Sequence, residues 1–331
     1  MNSKLFALAF LALPAAAIPV LSQEVNVYST RSHYGSEPAF ELFTGKTGIK
    51  VNFFMGNNNE VLERLRAEGK SSPADVMVTV DAGNLWNAAR EGLLSPVDSE
   101  TLDKNVPAHL RDPENRWFGL AVRARTVMYS TERVKPAELS TYEGLGDPKW
   151  KGRLCLRTSN SIYNQSLLAA AIERAGVPET EEMVRGWVAN DPVILDGDTT
   201  LLEAIAAGQC DVGITNSYYL ARLVSEKPGF PVAPFWANQG KGGTHVNVSG
   251  AGVTAHAKNR ENAIRLLEFL TSPEAQATLA ASSFEYPVSP QAKPHPILEK
   301  WGSFEQETVG VAATGKNQAE AVKLADRAGY R

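Results

Sequence analysis

The chain alternates between short apolar runs and longer stretches in which apolar residues recur every three or four positions. Three apolar runs, EVNVYST, IKVNFFMG and ADVMVTV, follow one another from residue 24, and a helical pattern begins after each. Short apolar runs without strict alternation are typical of strands buried on both faces, and their alternation with helices is typical of a parallel sheet. The first part of the chain is therefore predicted to be an α/β unit with helices on both faces of a mainly parallel sheet.

A second α/β series begins after a long extended stretch at residues 117–130. Strands are predicted at GRLCLRT, PVILDGD and CDVGIT, with helices between them, and an extended return is predicted near 244–256. A helical stretch over 259–283 is interrupted near Pro273. Because two extended stretches connect the two series, the sequence predicts two lobes with a hinge and a central cleft. The predicted lobes are residues 23–122 with about 248–295, and residues 123–247 with about 296–331.

The first 22 residues have the pattern of a secretory signal peptide. Lys4 precedes about a dozen apolar residues and then small residues. Cleavage is expected after Ser22, with Ala17 as the alternative, because a polar pair follows Ser22. No later apolar run reaches the roughly 18 residues that span a bilayer. We therefore expect an exported protein without stable membrane insertion, and we expect it to be a monomer.

Composition excludes one class of partner. The 331 residues are 43% hydrophobic and 21% charged, as in an ordinary globular protein, and the formal net charge is −4. No basic cluster occurs, so a nucleic-acid partner is not expected.

The two cysteines, Cys155 and Cys210, each lie in a short apolar stretch. An even number of cysteines in an exported chain favours a disulfide. Both stretches are predicted strands that could be neighbours in one sheet, so we predict a bond between them. Two buried free thiols are the alternative.

Four tyrosines stand at the ends of predicted strands. Tyr34 follows the first strand, Tyr163 follows GRLCLRT, and the pair Tyr218 and Tyr219 follows CDVGIT. In open α/β sheets, ligands bind beyond the carboxyl ends of the strands, and in a two-lobed protein those ends can face each other across a cleft. The four phenols are therefore expected to converge.

Converging phenols suit Fe(III), a small, hard and highly charged ion that prefers anionic oxygen ligands. A free phenol has a pKa of about 10, but a bound metal can deprotonate its ligand. Four phenolates around Fe(III) would leave one net negative charge. Three arginines, Arg31, Arg123 and Arg222, are placed in the sequence where they could offset it.

Five stretches of the chain resemble one known family: VYSTRSHYGSEPAFELFTGKTGIKV, ADVMVTVDAGNLWNAAREGLLSPV, SNSIYNQSL, NSYYLARL and TSPEAQATLA. Together they resemble the periplasmic ferric-iron-binding proteins of ABC importers (the FbpA/FutA type), over nearly all of the chain that follows the signal peptide. Each stretch alone is a weak signal. The combination of HY, IYNQS and YYLAR in this order is specific.

The resemblance implies a type II periplasmic binding protein fold, Fe(III) as the ligand, no enzymatic activity and an inner-membrane ABC permease as partner. It places the iron ligands at four tyrosines, namely Tyr34, Tyr163, Tyr218 and Tyr219. His33 matches a histidine that coordinates iron in some members. The residues that match those surrounding the metal or contacting an anion are Arg31, Arg123 and Arg222. A synergistic anion such as carbonate or citrate is a further expectation.

The segment before Tyr34 departs from the family pattern. Many members have the arginine directly before the His-Tyr pair, whereas Ser32 separates Arg31 from His33 here. We therefore expect His33 to line the cleft without binding iron, with direct coordination as the alternative. Some members use a histidine, a carboxylate and two tyrosines, and Glu60 would then supply the carboxylate.

Two other functions stay open. The protein could bind another solute, such as an oxyanion or an organic acid, through the arginines and the donors Ser159, Asn160 and Ser161. It could instead be an exported enzyme, although no nucleophile elbow or zinc-binding HExxH motif is present. GAGVTA at 250–255 matches a dinucleotide-binding pattern but lies in a predicted extended stretch. Four aspartates near strand ends are expected to cap helices: Asp75, Asp81, Asp196 and Asp198.

Overall fold

A computed structural model describes residues 23–31 and 38–331, so the predicted signal peptide and the candidate ligands His33 and Tyr34 lie outside the described residues. Within that part of the chain the strands are β1 (Glu24–Ser29), β2 (Lys50–Met55), β3 (Val76–Thr79), β4 (Phe118–Ser130), β5 (Leu154–Arg157), β6 (Val193–Leu195), β7 (Val212–Asn216), β8 (Val232–Phe235), β9 (Val246–Val253) and β10 (Tyr286–Pro287). The α-helices are α1 (Pro38–Thr47), α2 (Asn58–Glu68), α3 (Ala82–Arg90), α4 (Glu100–Asn105), α5 (Ile162–Ala175), α6 (Val177–Ala189), α7 (Asp198–Ala206), α8 (Ser217–Glu226), α9 (Arg260–Leu270), α10 (Pro273–Ser283), α11 (Pro296–Lys300) and α12 (Ala312–Arg327).

Strand β4 joins two halves of a continuous sheet. Its residues 118–124 pair antiparallel with β9, and β10 pairs with the same part of the strand. Its residues 125–130 pair instead with β7 and β8. We call β1, β2, β3, β9, β10 and residues 118–124 the first half-sheet, and β5 to β8 with residues 125–130 the second half-sheet.

Parallel pairing occurs in both half-sheets, away from β4. β1 lies between β2 and β3 and is parallel to both, and β5 lies between β6 and β7 and is parallel to both. β9 pairs antiparallel with β3 and with β4. The predicted α/β units are therefore confirmed, and the two predicted extended connections are β4 and β9.

Each half-sheet has its own apolar core. One cluster of buried side chains covers the first half-sheet and includes Val76, Val122 and Val253. The second half-sheet is covered on both faces, because adjacent β4 residues enter different clusters: Val127 packs with Ile214 and Leu156, and Met128 packs with Cys155. Burial on both faces explains why these strands lack polar alternation.

The GAGVTA motif lies in and after β9, where its glycines serve close packing. A Cβ atom at Gly250 would lie 2.6 Å from the Phe118 carbonyl oxygen, and one at Gly252 would lie 2.5 Å from the Arg116 carbonyl oxygen. No helix begins there, since the strand runs to Val253. The prediction that this motif does not bind a dinucleotide is consistent with this placement.

The interruption near Pro273 is a helix boundary. Helix α9 ends at Leu270, and Pro273 begins α10, where the missing amide hydrogen costs no intrahelical bond. The Ser272 hydroxyl accepts a hydrogen bond from the Ala275 amide and caps the new helix. In residues 23–31 and 38–331, no helix is long and apolar enough to cross a membrane.

The expected disulfide joins Cys155 and Cys210, whose Cα atoms are 5.8 Å apart. Cys155 lies in β5, and Cys210 lies two residues before β7, the parallel neighbour of β5. The bond therefore links the two strands that lead into α5 and α8.

Reduction of this disulfide should lower the free energy of unfolding by about 2–4 kcal/mol, because the bond closes a loop between residues 55 positions apart. Urea unfolding of the wild type and of the double variant Cys155→Ser, Cys210→Ser measures the loss. A thiol reagent in denaturant should find no thiol before reduction and two after it. Two reactive thiols in the unreduced protein would contradict the bond.

Candidate metal centre

Two neighbouring strands carry three of the predicted ligands to one edge of the sheet. β5 leads through a short loop into α5, where Tyr163 is the second helical residue. β7 leads directly into α8, where Tyr218 and Tyr219 are the second and third helical residues. Because β5 and β7 are parallel neighbours, their carboxyl ends lie side by side and the three phenols are brought together.

The three phenols form one cluster. The Tyr218 hydroxyl donates a hydrogen bond to the Tyr163 hydroxyl at 3.4 Å, and the ring centroids of Tyr218 and Tyr219 are 4.3 Å apart. Tyr218 is fully buried, whereas Tyr163 and Tyr219 are partly exposed. An ion that entered the cleft could therefore reach phenol oxygens from both helices.

The helix termini make this edge electropositive. The 14-residue α5 and the 10-residue α8 both begin at the phenol cluster, and their N-cap residues, Ser161 and Asn216, make no side-chain capping hydrogen bond. The first turn of a helix leaves amide hydrogens unpaired and carries partial positive charge. A phenolate, or a bound anion, is therefore stabilised here.

Three guanidinium groups surround the Tyr163 ring. The Cζ atoms of Arg123 and Arg157 each lie 5.4 Å from the ring centroid, and that of Arg125 lies 6.0 Å away. The Cζ atom of Arg222 lies 5.2 Å from the centroid of the Tyr218 ring. Cations at these distances favour the ionised form of a phenol.

Two buried carboxylates form salt bridges with the arginines near Tyr163 and with Arg31. Glu285 binds Arg31 at 3.3 Å and Arg123 at 3.5 Å. Asp198 binds Arg125 at 3.1 Å and Arg157 at 2.9 Å. Each cluster contains two arginines and one carboxylate, so each keeps one net positive charge beside the phenols.

The Tyr163 hydroxyl is subject to opposing effects. Burial removes water from the phenolate and raises the pKa of Tyr163, and the Arg123 charge acts in the lowering direction. The net shift is upward, so in the absence of metal this phenol is protonated at neutral pH. A metal that binds to it must therefore displace a proton.

Several buried donors beside the phenols have no hydrogen-bond acceptor among the described residues. They are the Ser161 and Ser217 hydroxyls, the Asn216 side-chain amide and the Arg157 Nε. Buried donors are normally paired, so a group of them at one site indicates that a ligand or water completes the bonding. Ser161 was predicted as a donor, whereas Ser217, Asn216 and Arg157 were not.

Two carboxylates considered in the sequence have other partners. The Glu60 carboxylate accepts a hydrogen bond from the Asn57 amide at 2.9 Å and forms a capping box at the start of α2. The expectation that Asp198 caps a helix is wrong. Helix α7 begins after Gly197 without a side-chain cap, and the Asp198 carboxylate binds the two arginines. Across residues 23–31 and 38–331, no cluster of three or more His, Cys, Asp or Glu side chains could hold a metal.

Comparison with known proteins decides the family. The family model described as bacterial extracellular solute-binding protein matches residues 39–306, which is most of the chain. The chain belongs to this family. This solute-binding protein is 43% identical over 325 residues to iron uptake protein A1 of a Synechocystis strain, with 96% of this chain and 90% of that protein covered.

Solved structures place this solute-binding protein among iron-binding members. The Trichodesmium protein called IdiA or FutA, in complex with iron and citrate ligands, is 45% identical with a TM-score of 0.89, and 93% of this chain and 100% of that chain are covered. Ferric iron-binding protein A of Mannheimia haemolytica, in an open conformation, is 37% identical with a TM-score of 0.86 over 93% of this chain and 98% of that chain. The predicted two-lobe type II periplasmic binding protein fold is confirmed, as is the family resemblance. The Synechocystis relative is an iron uptake protein, and the Trichodesmium relative was solved with iron and citrate, so a binding protein rather than an enzyme is also confirmed.

Asp198→Asn should lower the free energy of unfolding by about 3–5 kcal/mol, because it leaves two arginines without their buried counter-charge. Urea unfolding of the iron-free proteins measures the loss. Asp191→Asn is the matched control, since Asp191 pairs with Lys151 on the surface and asparagine tolerates its left-handed backbone. That change should cost less than about 1 kcal/mol. Equal losses in the two variants would contradict a buried role for Asp198.

Proposed function

We propose that this protein captures ferric iron in the cleft between its lobes through tyrosine phenolates and delivers it to an inner-membrane ABC permease. The proposed ligands are Tyr34, Tyr163, Tyr218 and Tyr219. The observation that carries the proposal is the cluster of three phenols at two helix N-termini, with arginines around it. Hard anionic oxygens are the ligands that Fe(III) prefers.

The charge of the site supports phenolate ligands in particular. The two arginine–carboxylate clusters and Arg222 place net positive charge beside the phenols. A bare cation would be repelled by this environment. Iron can be held only if the phenols ionise, and the same arginines lower the energy of that ionisation.

We also propose that an anion completes the iron shell. The buried donors of Ser161, Ser217 and Asn216 are suited to a carbonate or a carboxylate. The Trichodesmium relative was solved with citrate as well as iron, which supports a carboxylate-bearing anion. The same donors are the observation that favours the second candidate function, the binding of an oxyanion or organic acid without iron.

The lobes are proposed to follow the two half-sheets. The switch of β4 from β9 to β7 between Ala124 and Arg125 supports a boundary near residue 122. The C-terminal segment is shared, because Leu298 and Val311 pack with the first core whereas Leu324 packs with the second. Tyr34 would then come from the first lobe, and the other three tyrosines from the second. Iron would bind both lobes and favour closure.

The location and partners follow from the family. The protein is a bacterial extracellular solute-binding protein, which implies a permease partner and a periplasmic site of action. We propose that residues 1–22 are the signal peptide that exports it and that it acts as a monomer. Light scattering of the purified protein should then show a single species with the molar mass of about one chain.

Tyr218→Phe and Tyr219→Phe should each weaken iron binding by at least about 100-fold. Loss of a group that only orients a metal ligand already costs about 10–100-fold, so loss of a ligand should cost more. Visible absorbance of the phenolate-to-Fe(III) charge transfer, during titration with ferric citrate, measures binding. Tyr129→Phe is the control, because Tyr129 lies within β4 at the pairing with β7 and β8. Normal iron affinity in both variants would contradict the tyrosine ligands. A wild type that stays colourless with ferric citrate would favour the second candidate function, the binding of an anion without iron.

Iron affinity should fall as pH falls, because protons compete with iron for the phenols. Burial raises the pKa of Tyr163, so this competition already operates at neutral pH. If His33 only lines the cleft, as we propose, bound iron at fixed citrate should follow the same pH curve in wild type and in His33→Ala. A step centred near pH 6.5 in the wild type that disappears in the variant would identify His33 as a ligand.

A further inference from the structure

A direct side-chain hydrogen bond crosses between the two half-sheets next to the phenol cluster. The Ser166 hydroxyl, on α5, donates to an Asp81 carboxylate oxygen at 2.9 Å. Asp81 lies between β3 and α3, on the side of the first half-sheet, whereas α5 packs on the second. Both side chains are almost completely buried. The bond is therefore shielded from water in this conformation.

Asp81 is held rigidly on its own side. One carboxylate oxygen accepts from the Gly83 amide at 2.8 Å and caps α3, as the sequence predicted for this residue. The other oxygen accepts from the Asn247 side chain at 2.8 Å as well as from Ser166. The carboxylate is thus a fixed acceptor, and Ser166 is the partner that comes from α5.

The same loop reaches Tyr163 by two routes. Ser166 lies three residues after Tyr163, on the same face of α5. The Val80 carbonyl, next to Asp81, accepts a hydrogen bond from Arg123, whose guanidinium lies over the Tyr163 ring. Residues 80 and 81 therefore fix the position of Tyr163 relative to the first lobe.

A second contact between the lobes lies beside the first. Helix α12 packs its C-terminal half into the second core through Ala321 and Leu324. Its N-terminal half meets α3 of the first lobe, where a Cβ atom at Gly315 would lie 2.6 Å from the Trp86 Cβ. Only glycine permits this close approach. The described structure therefore has its lobes in close contact at α3, α5 and α12.

We propose that Asp81 and Ser166 are positioning residues for iron retention, whose hydrogen bond holds Tyr163 against the first lobe in the closed, iron-loaded form. The inference rests on the proposed iron-binding function. An open conformation is recorded for the Mannheimia haemolytica relative. In an open form, water would solvate both side chains, so the bond stabilises the closed form alone. Its loss shifts the equilibrium towards the open form without removing any metal ligand.

Ser166→Ala should release iron about tenfold faster, the effect expected when a net hydrogen bond to a carboxylate is lost from the closed form. Stopped-flow absorbance with excess competing chelator measures the release rate. The association rate with ferric citrate should change less than about twofold, and the charge-transfer maximum should not move, because every proposed ligand remains. An unchanged release rate, or a shifted absorbance maximum, would overturn the proposal.

Gly315→Ala provides an independent variant. The alanine methyl group would clash with Trp86 and push the lobes apart, so this variant should also release iron faster than the wild type. Because alanine favours the helical state of α12, the faster release could not be attributed to a weakened helix. Ser72→Ala is the matched control, since its hydroxyl donates to the Glu68 carboxylate at 2.7 Å within the first lobe. The control should release iron at the wild-type rate. Equal acceleration in the control would overturn the proposal, whereas a wild type that takes up no iron would refute the proposed function instead.

Discussion

Burial of phenol oxygens among guanidinium groups is the constraint on which the candidate site depends. A buried tyrosine resists ionisation, and here burial raises the pKa of Tyr163. The surrounding arginines act against that effect, and they are themselves costly to bury unless carboxylates pair with them. Glu285 and Asp198 provide this pairing. The site therefore requires two layers: arginines to favour phenolates, and carboxylates to keep the arginines in place.

The sheet explains how these layers meet. Arg123 and Arg125 lie two positions apart on β4, so both side chains project from the same face of the strand. Arg123 belongs to the part of β4 that pairs with β9, and Arg125 to the part that pairs with β7. One arginine thus joins Glu285 on the first side, and the other joins Asp198 on the second. The strand that connects the lobes also carries the charges that face the phenols.

Much of this organisation could be predicted from the sequence because it is local. Apolar runs followed by helical patterns predicted the strands of both units, and the placement of Tyr163, Tyr218 and Tyr219 directly after two of those strands predicted that the phenols would converge. The disulfide could be predicted because Cys155 lies in β5 and Cys210 lies just before β7, the neighbouring strand of the same sheet. These features require only periodicity and the parallel arrangement of neighbouring strands.

The remaining features depend on distant parts of the chain. Glu285 reaches Arg31 across 254 positions, and nothing around it marks it as a partner for an arginine. Asp198 is the first residue of α7, one position after the N-cap Gly197, and its carboxylate binds Arg125 and Arg157 instead of capping the helix. The stretch VRART at residues 122–126 carried a signal that could have identified Arg125, because arginines two positions apart on a strand lie on the same face. Helix α12 was also detectable, because its buried residues Ala321, Leu324 and Ala325 recur at helical spacing.

A crystal structure of the iron-loaded protein, with anomalous diffraction recorded at the iron absorption edge, would locate the bound iron. One anomalous peak is expected within bonding distance of the hydroxyl oxygens of Tyr163, Tyr218 and Tyr219, with Tyr34 completing the tyrosine set from the other lobe. A peak that lies elsewhere, or that is coordinated by carboxylates while these three phenols keep their protons, would contradict it.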